Sequence, residues 1–210
     1  MRKATKVWLI LAASLVAVGC ILFASVMSTL QWDFAKLSTV RYETNTHEIS
    51  ETFRNISITT DTAGILFALS DDGKCRVECY EEENAKHSVR VEKDTLVVKI
   101  DPQKSWYDYI GFHFGSPKIT VYLPATEYNA LTAKGSTGNV EIPKETSFGN
   151  VDISLSTGNV DFCASAAKSV RIQTSTGNIR VENTSVDSLE ISVTTGTVKV
   201  SDITCRENIT

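Results

Sequence analysis

Four times down the last third of this 210-residue chain the same short phrase returns: Ser136-Thr137-Gly138-Asn139-Val140, Ser156-Thr157-Gly158-Asn159-Val160, Ser175-Thr176-Gly177-Asn178-Ile179 and Thr194-Thr195-Gly196-Thr197-Val198. The glycines stand 20, 19 and 19 residues apart. A fixed period near twenty marks a stacked array, in which no repeat buries its apolar face alone and each leans on its neighbours. Each period also carries two apolar-polar-apolar triplets. Val140-Glu141-Ile142, Val160-Asp161-Phe162, Ile179-Arg180-Val181 and Val198-Lys199-Val200 follow the glycines. Val151-Asp152-Ile153, Val170-Arg171-Ile172 and Leu189-Glu190-Ile191 precede the next ones. Such alternation is the period-two pattern of a strand with one buried face. One repeat therefore predicts strand, turn, strand, turn, with successive repeats paired in parallel at about 4.8 Å per rung. The expected fold class is all-β, a parallel β-helix or β-solenoid with about 19–20 residues per coil.

Stacking turns positions into columns. Val140, Val160, Ile179 and Val198 form one inward column; Ile142, Phe162, Val181 and Val200 form another. Outward, Asp152, Arg171 and Glu190 alternate in sign, and Glu141, Asp161, Arg180 and Lys199 run beside them. Opposite charges on adjacent strands contribute roughly 0.2–1 kcal/mol each, so these columns read as register-setting rather than as a binding site. At the turns, Gly138, Gly158, Gly177 and Gly196 supply positive φ, and Asn139, Asn159 and Asn178 tolerate left-handed backbone and bond locally. They read as structural corners with stacked hydroxyl and amide ladders. A calcium site would require acidic residues at these turns.

Before the repeats the chain changes character. Val7 to Leu30 is apolar and uncharged, long enough to span a bilayer as a helix and too long for a secretory core segment. Ala17-Val18-Gly19-Cys20 resembles a lipoprotein cleavage box, but Ile21-Leu22-Phe23 continue the apolar run. Arg2, Lys3 and Lys6 precede the span and only Asp33 and Lys36 closely follow it, which keeps the N-terminus cytoplasmic. The expected organisation is a cytoplasmic tail over 1–6, a transmembrane helix over 7–30 that partners the lipid bilayer, a tether over 31–48, and a β-solenoid over 49–210. The solenoid divides into irregular strands over 49–124 and regular repeats over 131–210. The expected location is the plasma membrane, single-pass, with the C-terminal domain extracytoplasmic. Overall the chain holds 21 Lys+Arg against 25 Asp+Glu, net −4; less the four cations and one anion flanking the span, the exported part holds 17 against 24, net −7. A net negative surface argues against nucleic acid as a partner.

Five cysteines and three histidines bound the site chemistry. Cys75, Val77 and Cys79 share one face of an alternating strand, where two thiols four residues apart stand about 13 Å from each other, beyond disulfide reach. They read as small core residues. His47, His87 and His113 are scattered without metal-ligand spacing, so no metal and no cofactor is expected. Strands are predicted at Ile56–Ile58, Ile65–Leu69, Cys75–Tyr80, Val89–Val91, Leu96–Ile100 and Ile119–Leu123, either as early degenerate rungs or as a capping sheet. Between the last two, Trp106, Tyr107, Tyr109, Phe112, His113 and Phe114 crowd into nine residues. Such a cluster is the candidate contact loop, a stacking platform or partner hot spot, unless its rings fold back over the core.

Ile119-Thr120-Val121-Tyr122-Leu123-Pro124, then Leu131 and the repeated Ser-x-Gly-Asn-Val phrases from Gly135 onward, resemble a bacterial family, the "putative adhesin" domain of unknown function common in Gram-positive envelope proteins. The resemblance covers roughly residues 40–210 and departs from the pattern at Thr195-Gly196-Thr197, which lacks the Asn. It implies an all-β solenoid, often membrane-anchored, with no catalytic residues to carry over. The function expected is a non-catalytic adhesin-like binding or structural module of the cell envelope, with an envelope glycan or protein as partner. The alternative is an accessory to envelope-stress signalling acting through a membrane partner. An enzyme would need clustered carboxylates on one outer face; Asp152 and Asp161 instead face Arg171 and Arg180 on the next rung, so no enzyme is expected. Another rung would begin near Asn208, so the C-terminal end reads as truncated or covered by a partner.

Overall fold

The computed structural model describes residues 3–37, 40–101 and 115–210, which fall into an N-terminal helical unit and a β domain. Helix α1 (Lys3–Thr29) contains a 25-residue stretch, Thr5–Thr29, long and apolar enough to cross a membrane. At 1.5 Å per residue it measures about 37 Å, against about 30 Å of bilayer hydrocarbon. Val7, Trp8, Ile10, Leu15, Ile21 and Phe23 are all exposed, so the helix is apolar around its circumference, as lipid requires and water disfavours. Such a helix is compatible with a membrane anchor or a signal sequence.

In chain order the strands of the β domain are β1 (Tyr42–Ile49), β2 (Asn55–Thr60), β3 (Gly64–Leu69), β4 (Cys75–Glu82), β5 (His87–Glu92), β6 (Thr95–Ile100), β7 (Lys118–Leu123), β8 (Glu127–Thr137), β9 (Val140–Ile142), β10 (Ser147–Thr157), β11 (Val160–Phe162), β12 (Ser165–Thr176), β13 (Ile179–Glu182), β14 (Ser185–Thr195), β15 (Val198–Ser201) and β16 (Thr204–Ile209). They form two open eight-stranded sheets, ordered β1-β4-β7-β3-β9-β11-β13-β15 and β16-β14-β12-β10-β8-β2-β6-β5. In the second sheet Leu131, Val151, Val170 and Leu189 lie side by side in parallel register. In the first, Val140, Val160, Ile179 and Val198 do the same.

The core lies between the sheets and is built from the alternating residues. Ile142, Phe162 and Val181 are at most 2% exposed, and burial of each such side chain contributes about 1.5–3 kcal/mol. The columns end at the last rung: Val198 and Val200 are 41% and 37% exposed, not buried as their pattern predicts, because β15 is an edge strand with a neighbour on one side only. On the outer faces Arg171 donates to Glu190 at 2.7 Å, Lys199 reaches Glu182 at 2.8 Å, and Arg180 pairs with Asp161. All are solvent-accessible pairs that add about 0–1 kcal/mol apiece and chiefly select register.

Strands β1 to β7 resolve into both of the forms that the irregular spacing left open. β2 and β3 pair in parallel with β8 and β9, and β6 and β7 pair in parallel outside β2 and β3. These are two further rungs, laid down out of sequence order. Beyond them β4 runs antiparallel to β7, β1 antiparallel to β4, and β5 antiparallel to β6, so these three strands cap the array. The β5–β6 hairpin turns on Lys93 and Asp94, both at positive φ (45° and 66°), as a tight two-residue loop with matching twist demands. β1 occupies the last part, residues 42–48, of what the sequence suggested was a tether over 31–48. Its alternation of Thr, His and Glu is too polar to reveal a strand without the partner β4.

Candidate functional site

One edge of the wall is a column of corners where the chain crosses from the second sheet to the first. The repeat glycines sit there, Gly138, Gly158, Gly177 and Gly196, with φ between 140° and 149°. The Asn residues that follow keep negative φ, so their tolerance of left-handed backbone is not used. Nor do their amides bond to one another. Asn139 Oδ1 accepts the backbone N–H of Asn159 at 2.9 Å, Asn159 Oδ1 that of Asn178 at 2.8 Å, and Asn178 Oδ1 that of Thr197 at 3.0 Å. Thr197, in the fourth copy, donates to this ladder. Upstream the column continues: Asp61 O accepts from Ser136 and Thr137, and Gly64 N donates to the Pro117 carbonyl at 2.9 Å. Pro117 lies in the link between β6 and β7. The aromatic candidates Trp106, Tyr107, Tyr109, Phe112, His113 and Phe114 belong to that link and lie outside the described residues.

At this end of the column, the reversed rung formed by β4 and β5 brings polar groups into the core. Cys79 and Glu81 point inward from alternate positions of β4, and His87 opens β5 after the intervening turn. All three are buried, with 0%, 1% and 6% exposure. Glu81 Oε2 accepts both the His87 backbone N–H and its ring Nδ1 at 2.7 Å; Asn45 donates to Glu81 Oε1 at 2.8 Å. On the other side of the ring, His87 Nε2 lies 2.9 Å from Thr60 Oγ1 at the end of β2. The sulfur, carboxylate and imidazole donor atoms lie within 4.8 Å of one another, the one such grouping among the described residues. A cavity of about 190 Å³ adjoins them, lined by Thr60, Ala63, Glu81, His87, Ile100 and Pro117 among others.

Three chemistries suit this arrangement. As it stands it is a satisfied buried network, which fixes the cap on the first rungs. The order hydroxyl, imidazole, carboxylate is also that of an activated nucleophile. The surroundings oppose that use, because Asp61, Glu81 and Glu82 line the same cavity and would repel a developing oxyanion. Third, thiol, carboxylate and imidazole together are ligands for a dication. Sequence reasoning missed the cluster because Glu81 and His87 meet only through a corner. A usable signal was present: Cys75, Val77, Cys79 and Glu81 have the same parity, which puts a carboxylate on a core-facing position.

The opposite edge carries a groove of about 630 Å³ between the β1–β2 turn, the β3–β4 turn and the link from β7 to β8. Phe53 stacks on Tyr128 there, with ring centroids 5.7 Å apart and planes 22° apart, and Tyr128 in turn leans on Phe148 at 5.9 Å. Glu48, Glu51, Asp72, Lys74 and Arg76 furnish the polar rim. Cys75 lies at its base, 6% exposed and unbonded to another cysteine. Burial pushes its thiol up to about 12. At pH 8 the thiolate fraction is then on the order of 10⁻⁴, against about a fifth for a free thiol. Alkylation of Cys75 by iodoacetamide, followed by peptide mass spectrometry, is expected to run at least ~100-fold slower in the folded chain than in urea. Equal rates would contradict the buried placement.

The model of the Toastrack DUF4097 domain matches residues 53–210. A "putative cell adhesion protein" from Clostridium sporogenes superposes with TM-score 0.49 at 10% identity, covering 81% of this chain and 100% of that one. A "putative adhesin" from Parabacteroides distasonis gives 0.46 at 15% identity over 80% and 79%. One from Bacteroides fragilis gives 0.38 at 18% identity over 76% and 97%. A comparison with curated proteins finds no match. The family match spans most of the β domain, from the β1–β2 turn to Thr210, and the chain belongs to the Toastrack DUF4097 family.

Proposed function

We propose that this chain is a non-catalytic, adhesin-like binding module, a β-solenoid with about 19–20 residues per coil, anchored by residues 7–30 in the plasma membrane and displayed on its outer side. The observation that carries the reading is the groove at Phe53 and Tyr128: stacked aromatic rings at the base and charges of both signs at the rim, carried on the ends of, and the turns between, strands fixed by core packing. Sugars present just such a demand, an apolar ring face to stack and hydroxyls to bond. An envelope glycan is therefore the ligand we assign. Trp106 and Tyr109 are the second candidate contact. Cosedimentation of the full-length chain, in detergent, with purified cell-wall glycan tests both. Phe53→Ala is expected to weaken binding about 10-fold while the melting temperature stays within a few degrees of wild type. Loss only in Trp106→Ala/Tyr109→Ala would move the site to the aromatic segment, and absence of binding by the wild type would overturn the glycan assignment.

A further inference from the structure

We propose that Cys79, Glu81 and His87 form a binding site for a zinc-class dication, with a fourth position open to water from the adjoining cavity. The ligand set comes first. Sulfur, imidazole nitrogen and a carboxylate oxygen suit Zn²⁺ and its spectroscopic substitute Co²⁺, whereas Ca²⁺ and Mg²⁺ require shells of oxygen. Three protein ligands and one solvent position is a familiar zinc arrangement.

The supporting contacts are those a metal site needs. In the metal-bound form Nε2–H would donate to Thr60 Oγ1, which lies 2.9 Å away, and Nδ1 would be the lone-pair donor on the side of Glu81. Asn45 holds Glu81 Oε1 at 2.8 Å, which leaves Oε2 to face the imidazole. Without metal, the Nδ1···Oε2 distance of 2.7 Å is bridged by a proton. Two bonds of about 2.0 Å in tetrahedral geometry set that separation near 3.3 Å, so binding requires an opening of about half an ångström, and the cavity provides room on that side.

Charge argues the same way. Glu43, Glu81, Glu82 and Glu83 gather around this corner, and Lys86, which pairs with Glu43 at 2.5 Å, and His87 are the nearby bases. A dication would displace the Cys79 thiol proton to solvent and take the place of the proton between His87 Nδ1 and Glu81 Oε2, which moves to Nε2. Cys79 thiolate and Glu81 carboxylate then offset the two charges of the metal.

The test uses the full-length chain in detergent, treated with chelator and titrated with Co²⁺ alone and then Zn²⁺. Expected are one equivalent of Co²⁺ with a sulfur-to-cobalt charge-transfer band, its displacement by Zn²⁺, and a rise in melting temperature. Cys79→Ser removes the band and Cys75→Ser retains it. Thr60→Val, which alters only the support of the ring, weakens affinity about 10–100-fold. His87→Gln, whose amide still donates to Glu81 and so preserves the fold, weakens it at least 100-fold. No stoichiometric uptake by the wild type, or an unchanged band in Cys79→Ser or His87→Gln, overturns the proposal.

Discussion

Gly158→Ala is expected to lower the stability of the β domain by about 3–5 kcal/mol. Two costs combine. Its φ of 149° lies in a region that residues with a Cβ rarely enter, and a Cβ built there falls 1.9 Å from the carbonyl oxygen of Gly138 on the neighbouring rung. That obstacle is backbone, held by the corner bond from Gly138 N to Thr157 O and by the Asn139 Oδ1 that accepts the Asn159 N–H, so no side chain can swing aside to relieve it. At roughly 2–4 °C per kcal/mol for a domain of this size, the melting temperature should drop by about 10 °C. Gly73→Ala is the control, since Gly73 also has positive φ (70°) but nothing within 4 Å of a new Cβ. It should cost only about 1 kcal/mol. Thermal unfolding followed by circular dichroism reads both, and a Gly158→Ala melt within 2 °C of wild type would refute the close-packed corner.

The second large effect belongs to Phe148→Ala, with an expected loss of about 3–5 kcal/mol. Phe148 is fully buried and meets Phe67 edge-on at 6.0 Å and Tyr128 at 5.9 Å. Through Tyr128 it supports Phe53, so one ring joins the regular rungs to the out-of-order rung of β2 and β3. Truncation removes the transfer energy of the ring, leaves a cavity that fixed strands cannot collapse, and forfeits about 0.5–1.5 kcal/mol per aromatic pair. Phe148→Leu should recover most of the loss. Urea unfolding midpoints measure it; a loss under 1 kcal/mol for the alanine variant would show that the rungs do not share one cooperative core.

How far the sequence reaches is visible in these two positions. Gly158 is legible because it recurs in a phrase, and the phrase recurs because each corner sits on a copy of itself. Phe148 lies between two triplets and belongs to neither column, and nothing local couples it to Phe67, 81 positions earlier. The candidate groove was illegible for the same reason, since it gathers turns that are neighbours only after the chain has placed β2 and β3 between β6 and β7 on one side and β8 and β9 on the other. Of the Cys79, Glu81 and His87 cluster, the parity of β4 shows the core-facing carboxylate, and the corner that brings His87 to it is tertiary.

By itself, then, the sequence determined the stacked β architecture, the inward columns, the glycine corners and the apolar span, because in a repeating array the spatial neighbour of a residue is its own counterpart about 19 positions away. Periodicity then encodes tertiary contacts directly. Only the tertiary structure decided the order of the early rungs, the antiparallel cap, the exposure of Val198 and Val200, and the meeting of thiol, carboxylate and imidazole at the reversed corner. Those features depend on pairings between unlike segments, and such pairings leave no period in the chain.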